Sequence, residues 1–257
     1  MNSRSSCGIA VMAKASRPGL SKTRLCPPLT FEEAASFNTA FLRDVVGNIR
    51  AAGSATAIDG YMAFGPPGSE PFFQDILPAD IGLLESWFPN FGDCLFNAIT
   101  QQLERGHYAA VVLNSDSPTL PTSLLVETAE MLARPGDRAV LGPSTDGGYY
   151  LLGLKQAHRR MFDDIDWSTE RVARQTLERA REIGLSVHTL PAWYDIDDAD
   201  ALRTVHAELF ADVSFAADLV PHRAANTAAL LRTLIDDTDF ADRLHNARER
   251  VVEGAAE

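Results

Sequence analysis

Gly8 to Ala13 is a short apolar run rich in β-branched residues, and it opens onto a segment from Ala15 to Pro28 that carries glycine and proline. The run predicts a buried first strand and the segment a loop. Thr30 then caps a long helical pattern, with Glu32 and Glu33 in its first turn and Phe37, Phe41, Val45 and Ile49 at every fourth position. Ala55 to Phe64 reads as a second strand that Pro66-Pro67-Gly68 ends, and Phe96 to Arg105 as a helix. Tyr108 to Leu113 is continuously apolar, the pattern of a strand buried on both faces. A helix follows over 123–133, then strands over 138–142 and 149–154 joined by the turn signal Asp146-Gly147-Gly148. Ser168 or Thr169 opens a helix that Gly184 closes. Leu185 to Leu190 is a further strand, and a last helix of this series runs to Phe210. Strands alternating with helices predict an α/β three-layer sandwich with a mostly parallel central sheet, a class that takes ligands beyond the carboxyl ends of its strands. The remaining residues, 211–257, read as a helical extension in which Ala224, Ala228, Leu231 and Ile235 share one apolar face. That face packs on the core or on a second subunit, so a homodimer is one expectation.

Composition narrows the function. With 46% hydrophobic and 23% charged residues among 257, the chain is that of a globular protein rather than a disordered one. No apolar run approaches the roughly 18–20 residues of a membrane span, and Ile9 to Ala13 is too short for a signal peptide, so a cytoplasmic protein is expected. Three widely spaced cysteines suit a reducing compartment. A net charge of −12 argues against nucleic acid or an anionic membrane as partner. The cations are unevenly placed. Two of the three lysines, Lys14 and Lys22, lie near the start, whereas Arg105 is the one cation between residues 51 and 130, against ten carboxylates. This predicts a small anionic ligand.

Four segments carry candidate chemistry. The loop after the first strand holds Lys14, Arg17, Gly19, Lys22, Thr23 and Arg24, and its cations and backbone N–H groups can wrap phosphate charges. It is neither a Walker A loop nor a dinucleotide fingerprint, and a merely solvated basic loop is the plain alternative. Asp116, in Asn114-Ser115-Asp116-Ser117-Pro118, ends the most buried strand, where a carboxylate can hold Mg²⁺ or Mn²⁺ against phosphate oxygens. In Asp195-Ile196-Asp197-Asp198, extended backbone puts Asp195 and Asp197 on one face, and Asp198 caps the next helix. All three can equally be turn and cap residues. Asp146-Gly147-Gly148-Tyr149 offers a tight turn and an aromatic ring that a substrate can use, or an ordinary hairpin. The six histidines show no zinc spacing. Trp167 reads as a staple at a helix entry, and Met161 and Phe162 as core.

In this order the four segments resemble the bacterial nucleotide-diphospho-sugar transferase superfamily of GT-A fold. They are nearest to the family labelled arsenosugar-biosynthesis-type glycosyltransferase and more distantly similar to phospholactate guanylyltransferase-like nucleotidyltransferases. The family's Ala-Lys-x-Pro-x-x-Gly-x-x-Lys-Thr-Arg-Leu, Gly-Ser-Asp-Ser-Pro-x-Leu-Pro, Gly-Pro-x-x-Asp-Gly-Gly-Tyr and Asp-x-Asp-Thr-Pro-Glu-Asp-Leu motifs fall at 13–25, 114–121, 142–149 and 195–202. The resemblance covers roughly residues 8–205. It implies that Lys14, Lys22 and Arg24 bind phosphates, that Asp116 and Asp197 ligate the metal, with Asp195 a supporting candidate, and that Asp146, Gly147, Gly148 and Tyr149 line the acceptor side. Asp116, Asp197 and Lys22 are then the catalytic candidates. Ser16, Asn114 and Asp198-Ala199-Asp200 depart from the motifs, and Cys94 stands where members often carry arginine, which implies a lost phosphate or acceptor contact.

These readings divide the chain into a nucleotide-binding transferase domain, 1–210, and the extension, 211–257. They leave three functions open. One is nucleotidyl transfer from a nucleoside triphosphate to a phosphorylated acceptor, which four loop cations slightly favour because a departing pyrophosphate needs its charge offset. The second is sugar transfer from a nucleoside diphosphate sugar, and the third a nucleotide-sensing module without chemistry. Asp116 and Asp197 both being present counts against the third.

Overall fold

The computed structural model describes residues 6–211 and 213–254. Its centre is a seven-stranded sheet in the order β3-β2-β1-β4-β6-β5-β7. β1 (Cys7–Lys14), β2 (Ile58–Gly65), β3 (Gly82–Glu85) and β4 (Ala109–Leu113) are mutually parallel, and β7 (Val187–Thr189) runs parallel to β5 (Ala139–Pro143). Only β6 (Tyr149–Leu154) is antiparallel to its neighbours β4 and β5, because the turn at Asp146-Gly147-Gly148 folds it straight back.

The two apolar runs expected as buried strands have helices on both faces. One core unites Ile9, Val11 and Val111 with α1 (Phe31–Gly53), α4 (Thr122–Ala133), α6 (Ala199–Phe210) and α7 (Ala225–Asp237). The other unites Ala10, Ala110 and Val112 with α3 (Phe91–Glu104) and α5 (Val172–Glu182). Alternate residues of one strand thus serve opposite faces, which is the three-layer sandwich.

Local chemistry sets the helix starts. Thr30 and Glu33 form a reciprocal capping box at α1, and the Asp198 carboxylate accepts from the Ala201 N–H at α6. α3 begins five residues before the expected Phe96, because the Asn90 side chain accepts from Gly92 N–H and caps it there. α5 begins at Val172 instead of Ser168 or Thr169, since Ser168 adopts a left-handed backbone with φ 64°. Two elements unmarked by the sequence pattern, α2 (Glu70–Ile76) and β3, complete the sheet edge.

Leu231, Leu234 of α7 and Phe240 of α8 (Phe240–Gly254) enter the same core as Phe37 and Phe41. The extension therefore packs on the sheet-bearing part of the same chain. α7 has no cap of its own, and Ala224 before it is left-handed at φ 41°. The buried Asp44 carboxylate, on α1, takes its place. It accepts from Asn226 N–H and Nδ2 at 2.9 and 2.8 Å, and from Thr227 N–H and Oγ1 at 2.7 and 2.6 Å. Among the described residues no helix is long and apolar enough to cross a membrane.

Candidate active site

Three distant segments meet beyond the carboxyl ends of β1 and β4. The 193–197 segment is drawn there by backbone and side chains: Trp193 N–H donates to Pro143 O, Ile196 N–H to Asp116 O at 2.9 Å, and Ser117 Oγ to Tyr194 O at 2.8 Å. The phenol of Tyr194 is fixed by Thr119 and Glu208. From the other side comes the loop after β1. Asn38 of α1 donates to Lys14 O and Ser16 Oγ, and Arg17 N–H donates to Ser21 Oγ, so the loop is folded on itself before it reaches Lys22. Gly19, at φ 73°, supplies the left-handed step in that turn.

Lys22 is the joint of the site. Its Nζ lies 2.9 Å from Asp116 Oδ2 and 2.8 Å from Asp197 Oδ1, and it donates to Ile196 O at 2.9 Å. The sequence presents it as an exposed loop cation, but its side chain is only 7% exposed. Burial alone would lower its ammonium, but the two carboxylates more than reverse this and hold it charged. The backbone of Lys22 is left-handed, at φ 52°. Arg24, 76% exposed, stands 3.7 Å from Asp197 Oδ2. Lys14 lies over the Trp87 ring at 5.4 Å. Lys14, Lys22, Thr23 and Arg24 line a cavity of about 420 Å³ together with Asp116 and Asp197. Arg17 and Gly19 lie outside that lining.

The Asp146 turn is built as its sequence suggests, with Asp146 Oδ1 accepting from Gly148 N–H at 2.8 Å and Gly147 at φ 90°. A Cβ at Gly147 would stand 2.2 Å from the Glu170 carbonyl oxygen, so only glycine fits. Of this group only Tyr149 lines the cavity. Its ring meets Trp167 edge-on, and its buried hydroxyl has no hydrogen-bond partner. Asp146 acts at a distance: burial first, and then the Asp146, Asp197 and Asp116 charges, push the Asp195 carboxyl up to about 6.

Several lining residues carried no signal in the sequence. Trp87 packs against Gly65, where a Cβ would stand 2.2 Å from the indole. Phe91 and Leu95 continue this apolar wall. Cys94 is tied into the backbone beside Trp87. Its thiol donates to Phe88 O and accepts from Phe88 N–H, and Ser86 Oγ donates to its carbonyl, which holds the Trp87 segment in place. The carboxamide oxygen of Asn114, another departure from the motif, is buried at the cavity without a partner.

Asp116 and Asp197 offer oxygen donors of the kind a hard divalent cation takes. Two carboxylates already converge on one cationic point, Lys22 Nζ, and Asp195 beside them is raised first by burial and then by its carboxylate neighbours. Among the described residues no three His, Cys, Asp or Glu side chains are grouped to hold a metal, so Asp195 does not complete a triad with Asp116 and Asp197.

A family model described as "Uncharacterized protein conserved in bacteria (DUF2064)" matches residues 48–169, which span Asp116 and the Asp146 turn. A proposed nucleotide-diphospho-sugar transferase from Desulfovibrio desulfuricans G20 superposes with a TM-score of 0.75 at 24% identity, over 89% of this chain and 95% of that one. The fold is that of the nucleotide-diphospho-sugar transferases. More distant members of this fold type include CMP:2-keto-3-deoxy-manno-octonic acid synthetase in complex with CTP, at a TM-score of 0.52, 12% identity, and 81% and 100% coverage. Another is 4-diphosphocytidyl-2C-methyl-D-erythritol synthase from Anaerococcus prevotii, at 0.51, 11%, and 80% and 96%. No curated protein matches the chain in sequence. On the nucleotide-diphospho-sugar transferase fold, the cavity lies where open α/β sheets place their ligands, beyond the strand ends.

Proposed function

We propose that the protein is a divalent-metal-dependent transferase that binds the phosphates of a nucleotide donor at the loop after β1. The observation that carries this reading is the convergence of Lys22 with Asp116 and Asp197, three charged groups brought to one point from three segments. Asp116 and Asp197 would hold Mg²⁺ or Mn²⁺, which supplies Lewis-acid polarisation of phosphate oxygens and neutralises charge on the leaving group. Lys14, Lys22 and Arg24 would bind phosphate oxygens, and Tyr149 would orient the acceptor.

All three cations of the cavity lining come from the end of β1 and the loop after it, and among the described residues no other lining residue is basic. One polyphosphate finds counter-charges there, and a second phosphorylated substrate does not. This favours sugar transfer from a nucleoside diphosphate sugar to an uncharged hydroxyl. The second reading is nucleotidyl transfer from a nucleoside triphosphate. It draws on Arg17, a fourth loop cation left exposed outside the lining and able to meet a departing pyrophosphate.

A thermal-shift panel of nucleoside triphosphates and nucleoside diphosphate sugars, each with and without Mg²⁺ or Mn²⁺, tests both, since a ligand stabilises the state it binds. Metal-dependent stabilisation by the diphosphate sugars supports the first reading, and by triphosphates alone the second. Stabilisation by neither class would overturn the proposal.

A further inference from the structure

The last helix holds the exit of the loop after β1. Arg243, on α8, donates from Nη1 to the carbonyl of Pro28, where that loop ends. The same guanidinium grips both carboxylate oxygens of Glu33, at 2.9 and 2.7 Å, and its Nε donates to Asp239 at 2.7 Å. Glu33 is at once the acidic member of the Thr30 capping box, so one side chain ties the loop's last carbonyl to the first turn of α1. At the loop's entry, Asn38 and Thr39 of α1 hold Lys14 and Ser16. Between these two anchors lie Arg17, Lys22, Thr23 and Arg24.

We infer that Arg243 is a positioning residue for the nucleotide-binding loop, and that the C-terminal extension thereby belongs to the donor site. The path is short. Leu29 N–H donates to Leu25 O and Leu25 N–H donates to Lys22 O, so two backbone hydrogen bonds lead from the clamped exit to Lys22. Lys22 needs that support, because a non-glycine residue at φ 52° keeps its conformation only where its surroundings impose it. α8 itself does not depend on Arg243 for its place. Phe240 is fully buried, and Arg203 of α6 donates to Leu244 O. The clamp is thus directed at the loop rather than at the attachment of the helix.

The inference rests on the loop's role in binding the donor's phosphates, and the test separates the two. Arg243→Gln, Arg243→Lys and the wild type are compared by amide hydrogen exchange and by titration with UDP-glucose and with UTP in Mg²⁺. In Arg243→Gln, amides from Leu20 to Leu29 should exchange about tenfold faster while those of β1 and β4 keep their rates. Affinity for the nucleotide that the wild type binds should fall about five- to tenfold, with partial recovery in Arg243→Lys. Should Arg243→Gln not fold, Glu33→Gln replaces it, since a glutamine can still accept from Thr30 N–H in the capping box. Unchanged loop exchange in a folded variant overturns the inference, as does a loosened loop with unchanged nucleotide affinity. If no nucleotide of the thermal-shift panel binds the wild type and the loop still loosens, the clamp stands and the nucleotide reading falls.

Discussion

Lys22 Nζ stands 2.8 Å from Asp197 Oδ1, a contact across 175 positions of chain, made by a lysine in a left-handed conformation. A surface lysine would tolerate truncation. This one is the sole cation within hydrogen-bond distance of both Asp116 and Asp197 among the described residues. Lys22→Met should therefore destabilise the metal-free protein by about 2 kcal/mol, less than for a fully buried pair because both carboxylates are partly exposed. Urea unfolding in EDTA measures this, and added Mg²⁺ should restore part of the loss.

Asp116→Asn and Asp197→Asn should each lower turnover by a factor of about 100 or more while the protein stays folded, since a carboxamide keeps the shape and loses the charge that holds a cation. Mn²⁺ titration followed by electron paramagnetic resonance should show weakened binding in both variants. Asp195→Asn should act more mildly, because Asp195 contributes to the field around the pair rather than to a third ligand position.

Gly147→Ala should cost about 2–4 kcal/mol, since the added methyl meets the Glu170 backbone and the backbone sits at φ 90°. Chemical denaturation gives the loss. An accompanying change in the near-ultraviolet signal of Tyr149 and Trp167 would report the disturbed turn.

Stability should fall on the acid side partly through Glu33. Burial would raise its carboxyl, but the Arg243 guanidinium and Thr30 N–H pull it below the usual range. A carboxyl depressed by folding stabilises above its unfolded value of about 4.3 and loses that contribution as pH falls through the folded value. Glu33→Gln should flatten the stability profile between about pH 5 and 3 and lower its plateau near neutrality. Melting temperatures across that range are the check.

The strands that place the site were legible because they are continuous apolar runs, and β6 begins and ends as its pattern indicates. The start of α1 was legible from a capping box encoded within four residues. β3 was not, since a four-residue strand at the sheet edge pairs with one neighbour and carries too short a pattern to read. In the site, residue types and strand ends pointed to Lys22, Asp116 and Asp197, but the burial of Lys22 depends on partners far along the chain. Likewise no local pattern marks Cys94 as a thiol bound to the Phe88 backbone, or Arg243 as a partner of Pro28.

Asp44 carries a consequence for how the chain is made. Among the described residues its carboxylate, 2% exposed, finds all four of its donors at Asn226 and Thr227, 182 and 183 positions further along the chain. While the chain emerges, every strand of the sheet can be complete and still leave a charge on the inner face of α1 without a counterpart. Before α7 is made, that charge should therefore hold the sheet-bearing part short of its final packing. A stop codon placed after Phe210 should yield a chain that aggregates or is degraded, although it would hold every strand and every residue of the candidate site.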